Sequence, residues 1–333
     1  MKESPSLHDW HRTMAKHPLP HAGCFEASYP SGDWQEVGCV ETSHGPQLHK
    51  NTLRPPQNVG ATNSYMAQFS AATIGIAEGS FASASGITTE SESGFSNRYS
   101  LQLNTNFIAY PRQPSLCSGA KTPTACQGAE QFIFESTGLP WPLFQPPGGI
   151  YIQYWLKNYE NSCPGGWNPD GNDCFKNGFT AGVATVEPIT NLGNLVVRGN
   201  VSASGDSISF TDGSGFLWVA SDSGSVLGLY QSWNMAEFNV FGDGNSTQAS
   251  FGGTVTLVPQ IGFTLVGGAT GSPICNHNGQ TLETNNLNLV PASCCPMANN
   301  GSSALQFTET NPASVVAPFC LLNDITSINA LLF

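Results

Sequence analysis

The stretch 233–243 combines a strand-like pattern with side chains that could do chemistry. Its sequence is WNMAEFNVFGD, and successive residues of a β-strand point to opposite faces. This alternation places the small and apolar residues on one face and Glu237, Asn239, Phe241 and Asp243 on the other. A carboxylate on the polar face of a sheet is a candidate general base. We therefore take Glu237 and Asp243 as candidate catalytic residues.

Histidine is scarce where a packed active site would need it. Six of the seven histidines lie in the first fifty residues, which the sequence predicts to be poorly folded, and only His277 lies in the body of the chain. Ser-His-Asp and Cys-His catalysis need a packed histidine, and zinc sites usually need two or three, so we expect neither. We expect no cofactor, and catalysis would depend on carboxylates, amides and hydroxyls.

The composition is typical of a cross-linked extracellular protein. The 333 residues include ten cysteines, 36 glycines and 23 prolines, and only 10% are charged. A net charge of −12 argues against nucleic-acid and anionic-membrane partners. With only 11 Lys and Arg, few ion pairs would be lost on acidification, which suits an acidic medium. We expect a secreted monomer, although the first residues show no signal-peptide pattern.

The cysteines fall into near neighbours, and none has the C-x-x-C spacing that is typical of metal sites. Local pairing predicts three disulfides: Cys24–Cys39, Cys117–Cys126 and Cys163–Cys174. Two of the remaining cysteines are adjacent and cannot easily bond to each other, so the last four should pair across that doublet. These four are Cys275, Cys294, Cys295 and Cys320.

Many short alternating segments predict an all-β fold. Residues 99–106 and 150–158 alternate clearly between two faces, and turns rich in Gly, Asn, Asp and Pro separate further candidate strands. The further candidates cover residues 66–76, 131–134, 180–186, 194–203, 207–211, 216–220 and 254–259. We expect a two-sheet antiparallel β-sandwich with disulfide-stapled extensions.

Three regions are predicted along the chain. Residues 1–60 would form a Cys-clipped segment, disordered over residues 1–20, that would suit a pro-segment. Residues 61–266 would form the sandwich, and residues 267–333 a Cys-rich extension packed on it. The apolar end, residues 315–333, is too interrupted to span a membrane.

Three short motifs follow one another along the chain. They are Leu101-Gln102-Leu103-Asn104, the aromatic strand from Tyr151 to Trp155, and Asn234-Met235-Ala236-Glu237-Phe238. In order and spacing, over residues 65–245, they resemble the glutamic peptidases of the eqolisin family. The resemblance implies a concanavalin-like jelly roll and a secreted acid endopeptidase that acts on extracellular peptides or proteins.

The resemblance also implies roles for individual residues. Gln102 matches the catalytic glutamine, which would donate hydrogen bonds to the oxyanion, and Glu237 matches the first glutamate of the later motif. The family's catalytic glutamate stands four residues after Glu237, where this chain has Phe241. The base would then be Glu237, ranked first for its firmer strand context, or Asp243. Independently of the resemblance, aromatic and amide side chains on the polar face could line a groove that contacts the substrate. These are Tyr151, Gln153, Trp155, Asn104 and Asn239.

Alternatives stay open at this point. Phe241 in place of an acid favours a sandwich that binds glycans or peptides without hydrolysing them. The aromatic side chains, Trp233 among them, could fill the core instead of lining a groove. Asp170 and Asp173 offer oxygen ligands for calcium, although a plain turn also accounts for them.

Overall fold

Two large antiparallel sheets pack together and confirm the predicted all-β sandwich. The structure is a computed structural model that describes residues 5–40, 64–109, 114–136, 148–184, 186–224, 226–244, 247–277, 283–299 and 302–313. Strands are numbered in chain order below.

The first sheet has 11 strands among the described residues. They are β1 (Gly23–Ser28), β2 (Gln35–Val37), β4 (Ile74–Ser85), β13 (Val196–Val201), β14 (Asp206–Thr211), β15 (Phe216–Ser221), β18 (Val255–Leu265), β21 (Asn288–Leu289), β22 (Cys295–Asn299), β23 (Ser302–Gln306) and β24 (Glu309–Asn311). Their order in space is β2-β1-β15-β14-β13-β4-β18-β23-β22, with β24 paired to both β18 and β21.

The second sheet has nine strands in the same described ranges. They are β3 (Met66–Gln68), β7 (Tyr99–Thr105), β8 (Ile108–Ala109), β9 (Gln127–Ser136), β10 (Gly148–Lys157), β11 (Asn168–Asp170), β12 (Asp173–Val183), β16 (Met235–Phe241) and β19 (Ile274–Asn276). Their order is β11-β12-β10-β9-β7-β16-β3-β19, with β8 paired to β9. A small third sheet, in the order β20-β17-β5-β6, contains β5 (Thr89–Glu92), β6 (Phe95–Ser96), β17 (Gln248–Gly252) and β20 (Thr284–Asn285).

Helices are few and short. The α-helices are α1 (Pro5–Met14) and α2 (Pro114–Cys117), and 3₁₀ turns cover Pro123–Ala125, Ile189–Asn194, Leu229–Gln231 and Val266–Gly268. Within the described part of the chain, none of these helices has the length and apolar character needed to cross a membrane.

The core lies between the two large sheets. Alternate residues of β7 and β16, including Leu101, Leu103 and Phe238, are fully buried in it. Phe238 packs so closely on Gly79 of β4 that a Cβ at position 79 would lie 2.0 Å from the phenyl ring. Only glycine allows this approach of a strand to the opposite sheet. The alternation that buries these residues leaves the opposite face of the second sheet to polar side chains.

The N-terminal residues differ from the prediction. Disorder was expected over residues 1–20, but residues 5–14 form α1. Trp10 and Met14 of this helix are buried against Leu217 and Val219 of β15, and this packing stabilises a helix too short to persist alone. The clipped segment is also part of the sandwich, because β1 pairs with β15.

The predicted strand 66–76 is also wrong, because it divides into β3 and β4, which lie in different sheets. The backbone N–H groups of Phe69 and Ile74 donate to the carbonyls of Asn234 and Trp233 as the chain crosses from one sheet to the other. At the other end of the chain, β19 adds to the second sheet and β22 to β24 add to the first. Residues beyond 266 therefore complete both sheets.

The disulfides agree with the local pairing. The structure contains Cys24–Cys39, Cys117–Cys126 and Cys163–Cys174, as predicted, together with Cys275–Cys294. Cys295 is also disulfide-bonded, whereas Cys320 lies outside the described residues. No cysteine in the described ranges is free.

Candidate functional site

The outer face of the second sheet, which is the face directed away from the core, carries a continuous row of polar side chains. Directly paired residues of neighbouring strands point to the same face, and the strand pairings place five of them in one line across five strands. In spatial order these are Glu237, Asn104, Gln131, Gln153 and Asn177, which we call the amide row. The register thus confirms that Glu237, Asn104 and Gln153 share one face.

Hydrogen bonds connect most of the amide row. Asn104 Nδ2 donates to Glu237 Oε2 at 3.2 Å, and Gln131 Nε2 donates to Asn104 Oδ1 at 3.0 Å. Gln153 Nε2 donates to Asn177 Oδ1 at 2.8 Å. A network of this kind in a buried site fixes its side chains in one arrangement.

Both carboxylate oxygens of Glu237 accept hydrogen bonds. Oε2 accepts from Asn104, and Oε1 accepts from the hydroxyl of Ser64 at 2.7 Å. The Glu237 side chain is fully buried. These contacts hold the Glu237 carboxylate firmly in place.

Gln102 lies on the same face, two residues before Asn104 on β7, and so belongs to the row next to the amide row. Its Cα partners are Asn239 on β16 and Ile133 on β9. Its Oε1 accepts from Gln131 at 3.1 Å, and its Nε2 donates to Ser100 Oγ at 2.9 Å. The carbonyl end of Gln102 therefore faces the amide row, and the donor end faces the next row, which contains Ser100.

The row of Ser100 contains a carboxylate that the sequence analysis did not identify. Glu135 of β9 is the Cα partner of Ser100, so its side chain lies diagonally across from Gln102. Asp243, two residues beyond the end of β16, shares a hydrogen bond with Glu135. We call Glu135 and Asp243 the carboxyl pair.

The carboxyl pair holds a proton more strongly than ordinary acids do. Burial raises the pKa of Asp243 well above its usual range, and the charge and hydrogen bond of Glu135 add to the shift, while Arg98 opposes it. Burial also raises the pKa of Glu135, against the lowering effect of hydrogen bonds from Asp243 and Tyr151. Hydrogen-bonded acids of this kind ionise together less easily, so one of them tends to keep its proton.

Arg98 is the positive charge that faces the carboxyl pair and the acids beside it. Arg98 Nε lies 2.7 Å from Asp243 Oδ2 and 3.9 Å from Glu92 Oε2. Glu92 also accepts the backbone N–H of Asp243 at 2.6 Å. Burial raises the pKa of Glu92, and burial together with the charge of Glu92 raises the pKa of Glu90 to about 8. These acids therefore stay neutral to a higher pH than ordinary carboxyl groups do.

Asn239, predicted to contact the substrate, instead binds a buried acid. Its Nδ2 donates to Glu309 Oε1 at 2.9 Å, and Asn285 Nδ2 donates to Glu309 Oε2 at 3.4 Å. Burial raises the pKa of Glu309 to about 8, although both hydrogen bonds lower it. Phe241 is fully buried beside Ser100 on β7.

The aromatic strand β10 has the predicted orientation. Ile133 of the outer face is the Cα partner of Tyr151, and the Tyr151 hydroxyl donates to Glu135 Oε2 at 3.3 Å. Trp155 Nε1 donates to Gln131 Oε1 at 2.9 Å. Trp233, by contrast, lies in the core beside Phe132.

Tyr151, Gln153 and Trp155 are buried on this face, and the Trp155 ring packs on Phe175. Their side chains are therefore not open to solvent in this conformation of the chain.

The candidate calcium residues form a hairpin turn. Asp170, the last residue of β11, pairs with Asp173, the first residue of β12, and Gly171 between them has φ of +62°. Asp173 is buried in an ion pair with Lys157, and its Oδ1 accepts the backbone N–H of Asn158 at 2.7 Å. The described residues contain no group of three or more His, Cys, Asp or Glu side chains that could hold a metal ion.

Glu135 could have been found from its own strand. The predicted strand 131–134 ends one residue short of Glu135, and alternation along it places Gln131, Ile133 and Glu135 on one face. The contact with Asp243 could not have been read in this way, because it depends on the order of strands in the sheet.

Comparisons with known proteins give no further assignment. No family model matches the sequence, no curated protein matches it, and no solved structure matches it.

Proposed function

We propose that this chain is a secreted acid endopeptidase of the glutamic type, acting on extracellular peptides or proteins. One observation carries the proposal: the donor end of Gln102 is directed towards the row that contains Glu135, whose carboxyl group is hydrogen-bonded to Asp243. An amide donor beside a carboxyl pair is the combination that water attack on a peptide carbonyl needs.

The carboxyl pair supplies both proton transfers in this mechanism. The ionised member accepts a proton from water as the water attacks the carbonyl carbon, and the protonated member donates to the departing nitrogen. Gln102 Nε2 donates to the oxyanion that forms between these steps. Tyr151 and Arg98 hold Glu135 and Asp243 in position.

Glu237 has a positioning role in this scheme. Ser64 and Asn104 occupy its two oxygens, and Asn104 connects it through Gln131 to the carbonyl end of Gln102. The order of preference between the two predicted bases is thus reversed, with Asp243 acting together with Glu135. Glu237→Gln should disturb the orientation of Gln102 without removing the base.

The proposed setting is acidic and extracellular. The carboxyl pair shares its proton only while the medium does not remove it, so the rate should fall as pH rises through the raised pKa values. The disulfides suit an oxidising compartment outside the cytosol.

A second candidate is a non-catalytic sandwich that binds extracellular glycans or peptides. The burial of Gln102 and Glu135, at 0% and 3% exposure, favours it, because a peptidase must admit its substrate to these groups. Under the catalytic proposal the face must open before substrate can reach the pair.

The test is a kinetic comparison of single variants on a denatured protein substrate between pH 2 and pH 7. Gln102→Ala should lower kcat by about 10²–10³-fold, as loss of one oxyanion donor does in other hydrolases. Glu135→Gln and Asp243→Asn should abolish turnover, whereas Glu237→Gln should retain part of it.

The matched control is Glu130→Gln. Glu130 is a buried acid on the same strand as Glu135, but it lies on the core face and pairs with Tyr154. It should keep the wild-type rate if it folds. Equal rates in the wild type and in folded Glu135→Gln would refute the catalytic proposal and leave the binding protein.

A further inference from the structure

A cavity of about 510 Å³ lies on the outer face of the first sheet, whereas the carboxyl pair lies at the outer face of the second. Its floor is formed by outward-facing residues of β13, β14 and β15, and its roof by residues 14–19, 21 and 22 together with Trp34. The volume is within the range of small-molecule sites. Neither the amide row nor the carboxyl pair contributes to it.

The floor carries a guanidinium group with spare hydrogen-bonding capacity. Arg198 lines the cavity, and its side chain is 13% exposed. The nearest carboxylate, Glu78, lies 3.9 Å away, which is beyond hydrogen-bond distance. Among the described residues the guanidinium therefore has an ion pair with Glu78 but no hydrogen bond, and its planar set of N–H donors suits a ligand carboxylate.

Beside Arg198 the floor presents hydroxyl groups. Ser209 is on the neighbouring strand directly opposite Arg198, and Ser207 and Ser221 are paired in the next row. These serines are half-buried, and no side chain of the described residues hydrogen-bonds to Ser209 or Ser221. A hydroxylated ligand could exchange hydrogen bonds with Ser209 and Ser221 without displacing a side-chain contact, whereas Ser207 already accepts from Asn200 Nδ2 at 3.5 Å.

The roof and walls complete a pocket of mixed character. Trp34 is held by a hydrogen bond from its Nε1 to the carbonyl of His17 at 3.1 Å, and Leu217 and Val219 add apolar surface. The roof contributes the basic residue Lys16. The lining acid Asp222 turns its oxygens to Tyr154 and the Phe179 N–H, at 2.7 and 3.0 Å.

We propose that this cavity binds a hydroxylated carboxylic acid of monosaccharide size, with its carboxylate on Arg198 and its hydroxyls on the serine row. The aromatic side chain of Trp34 in the lining and the polar floor are the kinds of group that bind sugars and their acids. The same chemistry is offered by a free hydroxy acid and by a uronic acid residue of a glycan.

The experiment is calorimetric titration of the full chain with D-glucuronate, D-gluconate, D-glucose and acetate. Glucuronate should bind at least about tenfold more tightly than glucose, which lacks the carboxylate, and than acetate, which lacks the hydroxyls. Gluconate as tight as glucuronate would identify a free hydroxy acid as the ligand type, and weaker gluconate a ring-form uronic acid.

Single substitutions in the cavity floor test whether glucuronate binds in this cavity. Arg198→Gln should weaken glucuronate binding at least about tenfold, and Ser209→Ala, which leaves the ion pair of Arg198 intact, should weaken it several-fold. Ser96→Ala, an exposed serine on β6, is the matched control and should bind as the wild type does. The unfolding midpoint of each variant establishes that it is folded.

Three results would overturn the proposal: no glucuronate binding, acetate binding equal to that of glucuronate, or unchanged affinity in both folded variants. If Arg198→Gln fails to fold, the Ser209→Ala comparison decides. Peptidase activity has no part in these readouts, so the proposed function and the cavity site succeed or fail separately.

Discussion

Replacement of Glu309 by Gln should change how the stability of the protein depends on pH. Glu309 of β24 joins three sheets, because it accepts hydrogen bonds from Asn239 of β16 and Asn285 of β20. Its side chain is fully buried, and its pKa rises from 4.5 to about 8 on folding, chiefly through burial. Between pH 4.5 and about 8, Glu309 therefore holds a proton in the folded state that it releases in the unfolded state.

The sign and size of the Glu309 contribution to stability follow from proton linkage. Because the folded pKa is raised, the stabilisation is complete below pH 4.5 and is lost as pH rises towards 8. The free energy of unfolding falls by about 1.4 kcal/mol for each pH unit in this window, and the span of roughly 3.5 units corresponds to about 5 kcal/mol. That loss is comparable to the whole stability of many domains.

Glu309→Gln removes the ionisation and one acceptor oxygen. At pH 4 the variant should be about 1 kcal/mol less stable than the wild type, since one hydrogen bond is lost. At pH 8.5 it should be more stable by several kcal/mol, so the two curves cross. Urea unfolding at several pH values, followed by tryptophan fluorescence, measures both curves.

The control is Glu160→Gln, which removes an exposed carboxylate paired with Lys121. It should follow the wild-type curve throughout. Parallel curves for Glu309→Gln and the wild type would show that Glu309 is ionised in the folded protein, and would refute the reasoning.

Three further predictions concern packing, charge and cross-links. Gly79→Ala should destabilise the fold by roughly 1–3 kcal/mol or more in chemical denaturation, because its Cβ would overlap Phe238; an unchanged midpoint would contradict the packing. Arg98→Gln should destabilise the protein increasingly as pH rises, by up to about 3 kcal/mol, because Asp243 and Glu92, whose pKa values are raised, then ionise without their positive partner. Thermal unfolding across the pH range measures this loss, and an equal loss at every pH would contradict it. Replacing Cys275 and Cys294 by Ser should lower the free energy of unfolding by about 3 kcal/mol, as expected for a disulfide that closes a loop of this length. A non-reducing peptide map of the wild type checks the bond itself.

The two-residue period was sufficient to assign faces within single strands. It predicted that Gln102 and Asn104 share one side of β7, that Tyr151, Gln153 and Trp155 share one side of β10, and the cross-strand register agrees. This information is local, because alternation depends only on neighbours along the chain.

Contacts between strands could not be derived in the same way. The position of Glu135 beside Ser100 and near Gln102 depends on β9 lying next to β7, which is a matter of sheet order. Helix α1 was missed for a related reason. Its ten residues are marginal alone, and the surface of β15 on which Trp10 and Met14 pack is formed some 200 residues later in the chain.

The most direct test of the central claim is mass spectrometry of a denatured protein incubated with the folded wild type at acid pH. New peptide termini should appear at low pH, diminish as pH rises, and be absent with Glu135→Gln but present with Glu130→Gln. No new termini at any pH between 2 and 7 from folded protein, or equal cleavage by Glu135→Gln, would contradict it.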